Sequence, residues 1–285
     1  MIMDGKKVAA RVEDALRQSL LYSTEALSLG ILFVGDDPAS CQYVRTKEKF
    51  GERIGVAVKV IELERDVSED ELKSNLLKLC ASENGIIVQL PLPPGFDTKA
   101  ILAMIPSEKD VDVLSPVSRD AFAKGLSGAL TPPVPLAILA LLASHGVEVS
   151  GKRVVFVGRG RLVGEPTGIV FGRLGAELAY TEKNSRNMLE ILSIADIIVS
   201  GTGVPNLIMP EMVPEGAIVI DAGTSEAGGK LVGDANPAVA ERCSFFAPVP
   251  GGVGPLTVAM LFVNLLALRG LVQPQDLLQS LQKSV

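Results

Sequence analysis

Histidine is almost missing from this sequence: among 285 residues only His145 carries an imidazole. That excludes a multi-histidine metal site and leaves little room for histidine-based acid–base chemistry. Its place just before Gly146 suits a helix C-terminus, where the dipole favours such a group. Cysteine is scarce too. Cys41, Cys80 and Cys243 are far apart, odd in number and without C-x-x-C spacing, so neither a disulfide framework nor a thiolate zinc site is expected, and no metal is assigned. A reduced, cytoplasmic chain fits this usage. Positive charge is not in excess, with 27 Lys and Arg against 33 Asp and Glu and a net charge of −6. That argues against a general nucleic-acid or anionic-membrane binder, while a local basic pocket stays compatible with it. No apolar run reaches membrane length either. The stretches 134–143 and 255–268 are interrupted by Pro135, Thr257 and Asn264 and read as buried helices. The opening MIMDGKKVAARVEDALRQSL has no apolar h-region, so no signal peptide and no membrane partner are expected.

What is abundant is apolar residues (47%) and glycine (28 residues), in a chain long enough for two ordinary domains. The stretch RVVFVGRGRLVGEP, 153–166, organises the rest. Arg153 to Val157 is a β-branched run of the kind buried on both faces of a parallel sheet. Gly158, Gly160 and Gly164 follow, and a helix is expected from Pro166 to Leu174. A strand, a glycine turn and a helix N-terminus bring free backbone N–H groups and a positive dipole end to one point, where a phosphate can sit. The spacing is one residue longer than the usual dinucleotide fingerprint, and a βα turn needing glycine only for packing is the alternative.

Before this stretch the chain reads as helix 6–22, strand 29–34, helix 39–54, strand 56–63, a helix opened by Ser68 and Glu71 at capping-box spacing, and strand 85–89. This β-α-β-α-β order implies a parallel sheet with right-handed crossovers. Residues 106–133, rich in Gly, Pro and Ser, read as an irregular boundary or a loop over a cleft. A helix is expected at 135–144. After Val157, strands are expected near 176–180, 196–200, 216–221 and 244–247, with a helix at 186–195. A Pro/Gly turn at 248–255 then leads into an apolar helix to Leu268.

Four groups carry candidate chemistry. Tyr43 and Lys47 share a helix face, and a ring beside an ammonium can stack on a flat substrate and move a proton; a half-buried tyrosine with a solvated lysine is the alternative. Gln89 ends a parallel strand at the carboxyl edge, where open α/β sheets bind ligands, and needs either a polar partner or solvent. Asp110 and Asp112 lie in the irregular connection, as ligands or as turn-capping carboxylates. PVPGGVGP at 248–255 lets backbone approach a ligand closely, or is only a tight turn.

Taken together, MDGKKVA, GDDPAS, YVRTK, VQLPLP, KDVD, VGRGRLVGEP, EGAIVIDAG and APVPGGVGPLTVAM, in this order along essentially the whole chain, resemble the bifunctional methylenetetrahydrofolate dehydrogenase/cyclohydrolase family. The resemblance implies an α/β fold of two domains, each a mainly parallel sheet flanked by helices, the second a Rossmann-like dinucleotide-binding domain, with the active-site cleft between them. It implies residues 1–131 as folate-binding catalytic domain, with a C-terminal helix 256–285 packing back on it, and 132–255 as the NAD(P)-binding domain. The implied activity is oxidation of 5,10-methylenetetrahydrofolate and hydrolysis of the product to 10-formyltetrahydrofolate, in one-carbon metabolism. Lys47, Gln89, Tyr43 and Asp112 match the catalytic positions. Tetrahydrofolate derivatives would meet Tyr43, Gln89, Leu90, Asp112, Pro250, Gly251, Gly252 and Val253. The cofactor, expected to be NADP with NAD as the alternative, would meet Gly158, Arg159, Gly160, Val163, Gly164, Thr181, Thr202, Gly203 and Thr224. A homodimer is implied as well, and the apolar helices 134–143 and 256–268 point the same way.

Several positions depart from the family pattern. Val113 stands where glycine is common, Leu130 where cysteine is, Gly160 where serine is, Tyr180-Thr181 where His-Ser is, and Ser225 where asparagine is. Two other readings remain: a two-domain dehydrogenase of shikimate type pairing a lysine with an aspartate, and a non-catalytic homologue that binds folate or nucleotide without turnover.

Overall fold

A computed structural model describes residues 1–227 and 229–283. The chain divides into two compact units. One comprises Val12–Pro133 and Val258–Leu277; the other comprises Met1–Arg11, Val134–Thr257 and the residues from Leu278 on. No helix among the described residues is long and apolar enough to cross a membrane.

The chain opens on α1 (Gly5–Leu21), whose Val8, Val12 and Leu16 form a buried stripe at four-residue steps. Then come β1 (Ser28–Val34), α2 (Pro38–Ile54), β2 (Ala57–Leu63), α3 (Glu69–Ser82), β3 (Gly85–Val88), α4 (Thr98–Leu102) and α5 (Pro116–Lys124). The three strands form a parallel sheet in the order β2-β1-β3. Ser68 caps α3 by accepting from the Glu71 N–H, as the capping-box spacing requires. Leu72, Leu76 and Leu79 of α3 pack with Leu32, Val34, Ile86 and Val88 of the sheet. The connection read as irregular contains the helix α5. Ser115 caps it, Pro116 starts it and Gly125 ends it in the left-handed region, φ 67°, so a full set of stop and start residues lay within the Gly/Pro/Ser-rich stretch.

The other unit runs through α6 (Pro133–Ala143), β4 (Arg153–Val157), α7 (Gly164–Arg173), β5 (Glu177–Thr181), α8 (Met188–Leu192), β6 (Ile197–Ser200), β7 (Ile218–Asp221), the short hairpin β8 (Ser225–Ala227) and β9 (Lys230–Val232), and β10 (Phe245–Ala247). Five parallel strands lie in the order β10-β7-β6-β4-β5. The sheet core holds Val155, Val157, Ile198, Val219 and Phe246 with Leu192 and Val239. Met3 N–H donates to the Phe246 carbonyl at 2.8 Å, and Phe246 N–H to that of Met1 at 2.9 Å, so the first residues extend this sheet beyond β10.

The chain closes with α9 (Val253–Leu268) and α10 (Pro274–Gln282). The segment expected as one C-terminal helix is therefore two: α9 ends at Leu268, with Gly270 just beyond it in the left-handed region, φ 68°, and Pro274 starts α10. Asn264 is the one polar side chain in the buried run of α9; its Nδ2 donates to the Val111 and Thr131 carbonyls, both at 2.9 Å. His145 sits just past α6, with Nδ1 2.8 Å from the Leu141 carbonyl, the helix-end role its position implied.

Candidate active site and nucleotide site

In both sheets the strand order reverses beside the first strand: at β1/β3 in one unit and at β4/β6 in the other. Crevices at such switch points, outside the carboxyl ends of the strands, are where open α/β sheets receive ligands. The candidate residues fall at both.

In the first unit Asp37 caps α2, its carboxylate accepting from Ser40 N–H at 2.8 Å, and Pro38 fixes the first turn. The helix buries Ser40, Val44, Lys47, Phe50, Gly51 and Ile54. Lys47 is thus on the buried face and only 7% exposed, while Tyr43 keeps 38% of its surface in solvent. Lys47 Nζ donates to Gln89 Oε1 at 2.6 Å. Gln89, one residue past β3, is itself buried; its Nε2 donates to the Leu90 carbonyl at 2.8 Å, which turns Oε1 toward the lysine. The Leu90–Pro91 peptide is cis. The solvated-lysine alternative is thereby removed, and the polar partner that Gln89 required is the ammonium.

The two aspartates divide their work. Asp110 is buried and its carboxylate accepts from Leu114 N–H (3.2 Å) and Ser115 N–H (2.8 Å), the turn-capping role. Asp112 stays half-buried, and it is the carboxylate whose charge acts on Lys47. Burial pulls the Lys47 ammonium below its ordinary pKa, and Asp112 partly restores it. Burial also pushes Asp112 up to about 6, with Lys47 opposing and Asp110 adding to the rise. Val113, next in the chain, has φ 55° and is buried. A β-branched residue in the left-handed region costs on the order of 1–3 kcal/mol of strain. That is the physical content of its departure from the family's glycine: the backbone bends as glycine would, and the valine side chain contributes to the core.

The Pro250–Val253 loop belongs to the second unit. Gly251 has φ +110°, Gly252 N–H donates to the Pro248 carbonyl at 2.8 Å, and Gly5 N–H donates to the Gly251 carbonyl at 2.9 Å. A side chain on Gly5 would run into the Gly252 carbonyl, so the first turn of α1 seats this loop.

At the β4/β6 crevice Gly158 has φ +88°, and a Cβ on Gly164 would strike the Gly158 carbonyl. A side chain on Gly201 would clash with Val163, which packs directly on it, whereas a Cβ on Gly160 would meet only the Gly201 carbonyl oxygen, at an ordinary contact distance of 3.7 Å. A cavity of about 350 Å³ opens here, lined by Gly158, Arg159, Gly160, Glu182, Lys183, Gly201 and Thr202. Its two cations, Arg159 and Lys183, and the nearby start of α7 suit a phosphate-bearing ligand. Thr181, in contrast, is buried with its hydroxyl lacking a protein hydrogen-bond partner, and Thr224 is exposed.

Two aspartates outside the candidate site residues hold this edge together. Asp221 and Asp234 are both fully buried. Asp234 Oδ2 accepts from Ser200 Oγ (2.6 Å), Thr202 N–H (2.6 Å) and Thr202 Oγ1 (2.9 Å), and Oδ1 accepts from Val204 N–H at 2.9 Å. Asp221 accepts from the N–H groups of Gly223, Asp234 and Ala235. Side chains on Gly223 and Gly233 would collide with these carboxylates. The available signal was an aspartate at the end of an apolar strand followed by Ala-Gly, and a second in Gly-Asp-Ala.

Comparison with known proteins identifies the family of the whole chain. The profile of the tetrahydrofolate dehydrogenase/cyclohydrolase catalytic domain matches residues 3–112, and that of the family's NAD(P)-binding domain matches 132–271. The bifunctional protein FolD of Halothermothrix orenii is 40% identical over 92% of this chain and 95% of its own. The FolD methylenetetrahydrofolate dehydrogenase/cyclohydrolase of Campylobacter jejuni superposes with a TM-score of 0.90 at 33% identity, covering 95% of this chain and 99% of its own. The Trypanosoma brucei enzyme, complexed with NADP and an inhibitor, gives a TM-score of 0.89 at 34% identity, covering 94% of this chain and 96% of its own. The chain belongs to the tetrahydrofolate dehydrogenase/cyclohydrolase family.

Proposed function

We propose that this protein oxidises 5,10-methylenetetrahydrofolate to the methenyl form with NADP and hydrolyses that product to 10-formyltetrahydrofolate, with Lys47 as the proton carrier of the second step. The observation that carries this reading is the burial of Lys47 against Gln89, within the field of Asp112. Tyr43 offers its exposed ring to the flat part of the folate. Asp112 accepts from adjacent N–H donors of the pterin, a planar pair that a carboxylate matches. Leu90 and the Pro250, Gly251, Gly252 and Val253 backbone supply close contact.

Oxidation of the one-carbon bridge needs orientation more than acid–base help, because the two folate nitrogens stabilise the cation. The chemistry that NADP would supply when bound is that of a hydride acceptor. Gly158, Arg159, Gly160, Val163 and Gly164 form its phosphate turn, with Thr202, Gly203 and Thr224 on the neighbouring loops and Thr181 at the end of β5. In hydrolysis, water adds to the methenyl carbon. Lys47, whose pKa burial lowers, removes a proton from that water and returns it to the ring nitrogen as the C–N bond opens, while the remaining hydroxyl proton leaves to solvent as the formyl carbonyl forms. Gln89 holds the amine in place.

The protein is proposed to act as a cytoplasmic homodimer. The apolar helices α6 and α9 are buried within the chain and call for no partner. Support comes from the free edge of β2, where Val58 and Val60 are partly exposed, an edge a second copy can cover. Light scattering that shows only a ~30 kDa species at micromolar concentration would contradict the dimer.

The test of the activity is direct. Protein incubated with methylenetetrahydrofolate and NADP or NAD, then acidified, should show methenyl absorbance, and added methenyl substrate should disappear without any cofactor. Absence of product with both cofactors sinks the dehydrogenase reading.

A further inference from the structure

Arg159 leaves the β4 edge at the rim of the nucleotide cavity, with its guanidinium carbon 4.9 Å from the centroid of the Tyr180 ring. That ring is itself fixed. It stacks on Phe156, centroids 5.2 Å apart and planes at 21°, and Phe156 is fully buried in the sheet. The phenolic end lies so close to α7 that any side chain at Gly168 would collide with the hydroxyl. Tyr180 and Phe156 are register partners on β5 and β4, so the sheet places one ring on the other. A flexible, solvent-exposed arginine therefore rests on an aromatic shelf anchored in the core. Cations favour the face of such a ring, and a guanidinium stacks flat on it.

The shelf has a consequence for charge. Glu182, two residues beyond Tyr180, lines the same cavity. A freely moving Arg159 would have this carboxylate as a competing partner and would arrive neutralised at any incoming phosphate. Held on Tyr180, it makes no ion pair among the described residues.

We propose that Tyr180 is a positioning residue that sets the preference for NADP over NAD, by holding the Arg159 guanidinium ready for the phosphate on the adenosine ribose. This rests on the reading, given above, that Arg159 serves a bound NADP. The ring is the working part, because the guanidinium contacts its face, and the hydroxyl is dispensable.

The test is calorimetric binding of NADP, NAD and 2′,5′-ADP to the ligand-free protein and its variants, with no turnover involved. Tyr180→Phe should bind all three within about twofold of wild type. Tyr180→Leu should weaken NADP and 2′,5′-ADP by about tenfold while NAD changes by less than about twofold, the scale of one oriented cation contact. Should Tyr180→Leu fail to fold, Tyr180→Met removes the flat face with less loss of length and is read in the same way. An unchanged NADP-to-NAD ratio in the leucine or methionine variant overturns the proposal. Equal losses for both cofactors also overturn it, since that is what a merely structural ring would give. Wild-type protein that binds NAD as tightly as NADP, and does not bind 2′,5′-ADP, overturns the underlying reading of Arg159 instead.

Discussion

Lys47 Nζ and Gln89 Oε1 meet at 2.6 Å across 42 residues of chain, joining the buried face of α2 to the loop after β3. Replacing Lys47 by methionine keeps the length of the side chain and removes its proton chemistry. Hydrolysis of methenyltetrahydrofolate should fall by about 10²-fold or more, the usual size of a general acid–base contribution. Oxidation should fall less, so methenyl product should accumulate. The fold should tolerate the change. Burial lowers the lysine pKa in the folded state, so the charged form subtracts stability below that pKa, and this cost fades as pH climbs toward the unfolded value of 10.5. A melting temperature at pH 7 no lower than wild type, together with near-wild-type hydrolysis, would remove Lys47 from the mechanism.

Gln89→Leu should strike the same step through a different atom. The amide oxygen that orients the amine is gone, and Lys47 is left desolvated without its partner. If Gln89 acts only through Lys47, the double variant should hydrolyse little worse than either single one. Additive losses measured by stopped-flow absorbance would mean that Gln89 has a separate role.

Asp112 predicts a pH dependence. In the ligand-free protein it titrates at about 6, because burial outweighs the opposing charge of Lys47. Its ionised form accepts from the pterin donors, so folate affinity should fall as pH drops below about 6. For stability the sign is opposite. A carboxylate with a raised folded pKa contributes stability below its ordinary value of 3.8, and that contribution is lost as pH rises through about 6. Folate titrations between pH 5 and 8 should show the dependence in wild type and a flat, weaker profile in Asp112→Asn. A pH-independent wild type would exclude the ionised carboxylate from recognition.

Arg159→Ala should raise the KM for NADP at least tenfold, about 1.4 kcal/mol, and leave NAD nearly unchanged. Steady-state kinetics with the two cofactors separate this from a general defect, which would harm both alike.

Asp234→Asn should disturb the nucleotide edge and spare the folate chemistry. Its carboxylate receives four donors, and an amide must present N–H to some of them. Leaving buried donors unpaired costs about 1–3 kcal/mol each. The expected result is a lower melting temperature and weaker NADP binding, with cofactor-free hydrolysis of methenyltetrahydrofolate largely retained. Loss of that hydrolysis at a temperature where the variant is folded would contradict the assignment.

The strands and the glycine turn were legible because apolar β-branched runs and glycine need only local rules. Lys47 was harder to read, since the face that α2 buries contains Ser40, Lys47 and Gly51 and no periodicity count would choose it. The helix α5 hid behind its own capping residues, and β8 and β9 span only three residues each. Which of Asp110 and Asp112 caps and which stays available depends on the turn at Val113, where glycine's backbone angle is taken by a valine. Tyr180 read as a mere departure from pattern, because a ring stacked on its strand neighbour and under an arginine is invisible one residue at a time.

The interleaving of the two units has a consequence for biosynthesis. Residues 1–11 complete a sheet whose strands emerge from the ribosome more than a hundred residues later, and Val258–Leu277 complete the core begun at Val12. Neither unit is a contiguous stretch, so no single cut yields one of them intact. A nascent chain halted before residue 258 has two unfinished cores, and both close only as α9 and α10 are released. Limited proteolysis of partial-length chains would therefore find no protected half, and inheritance by domain shuffling would have to carry the whole gene.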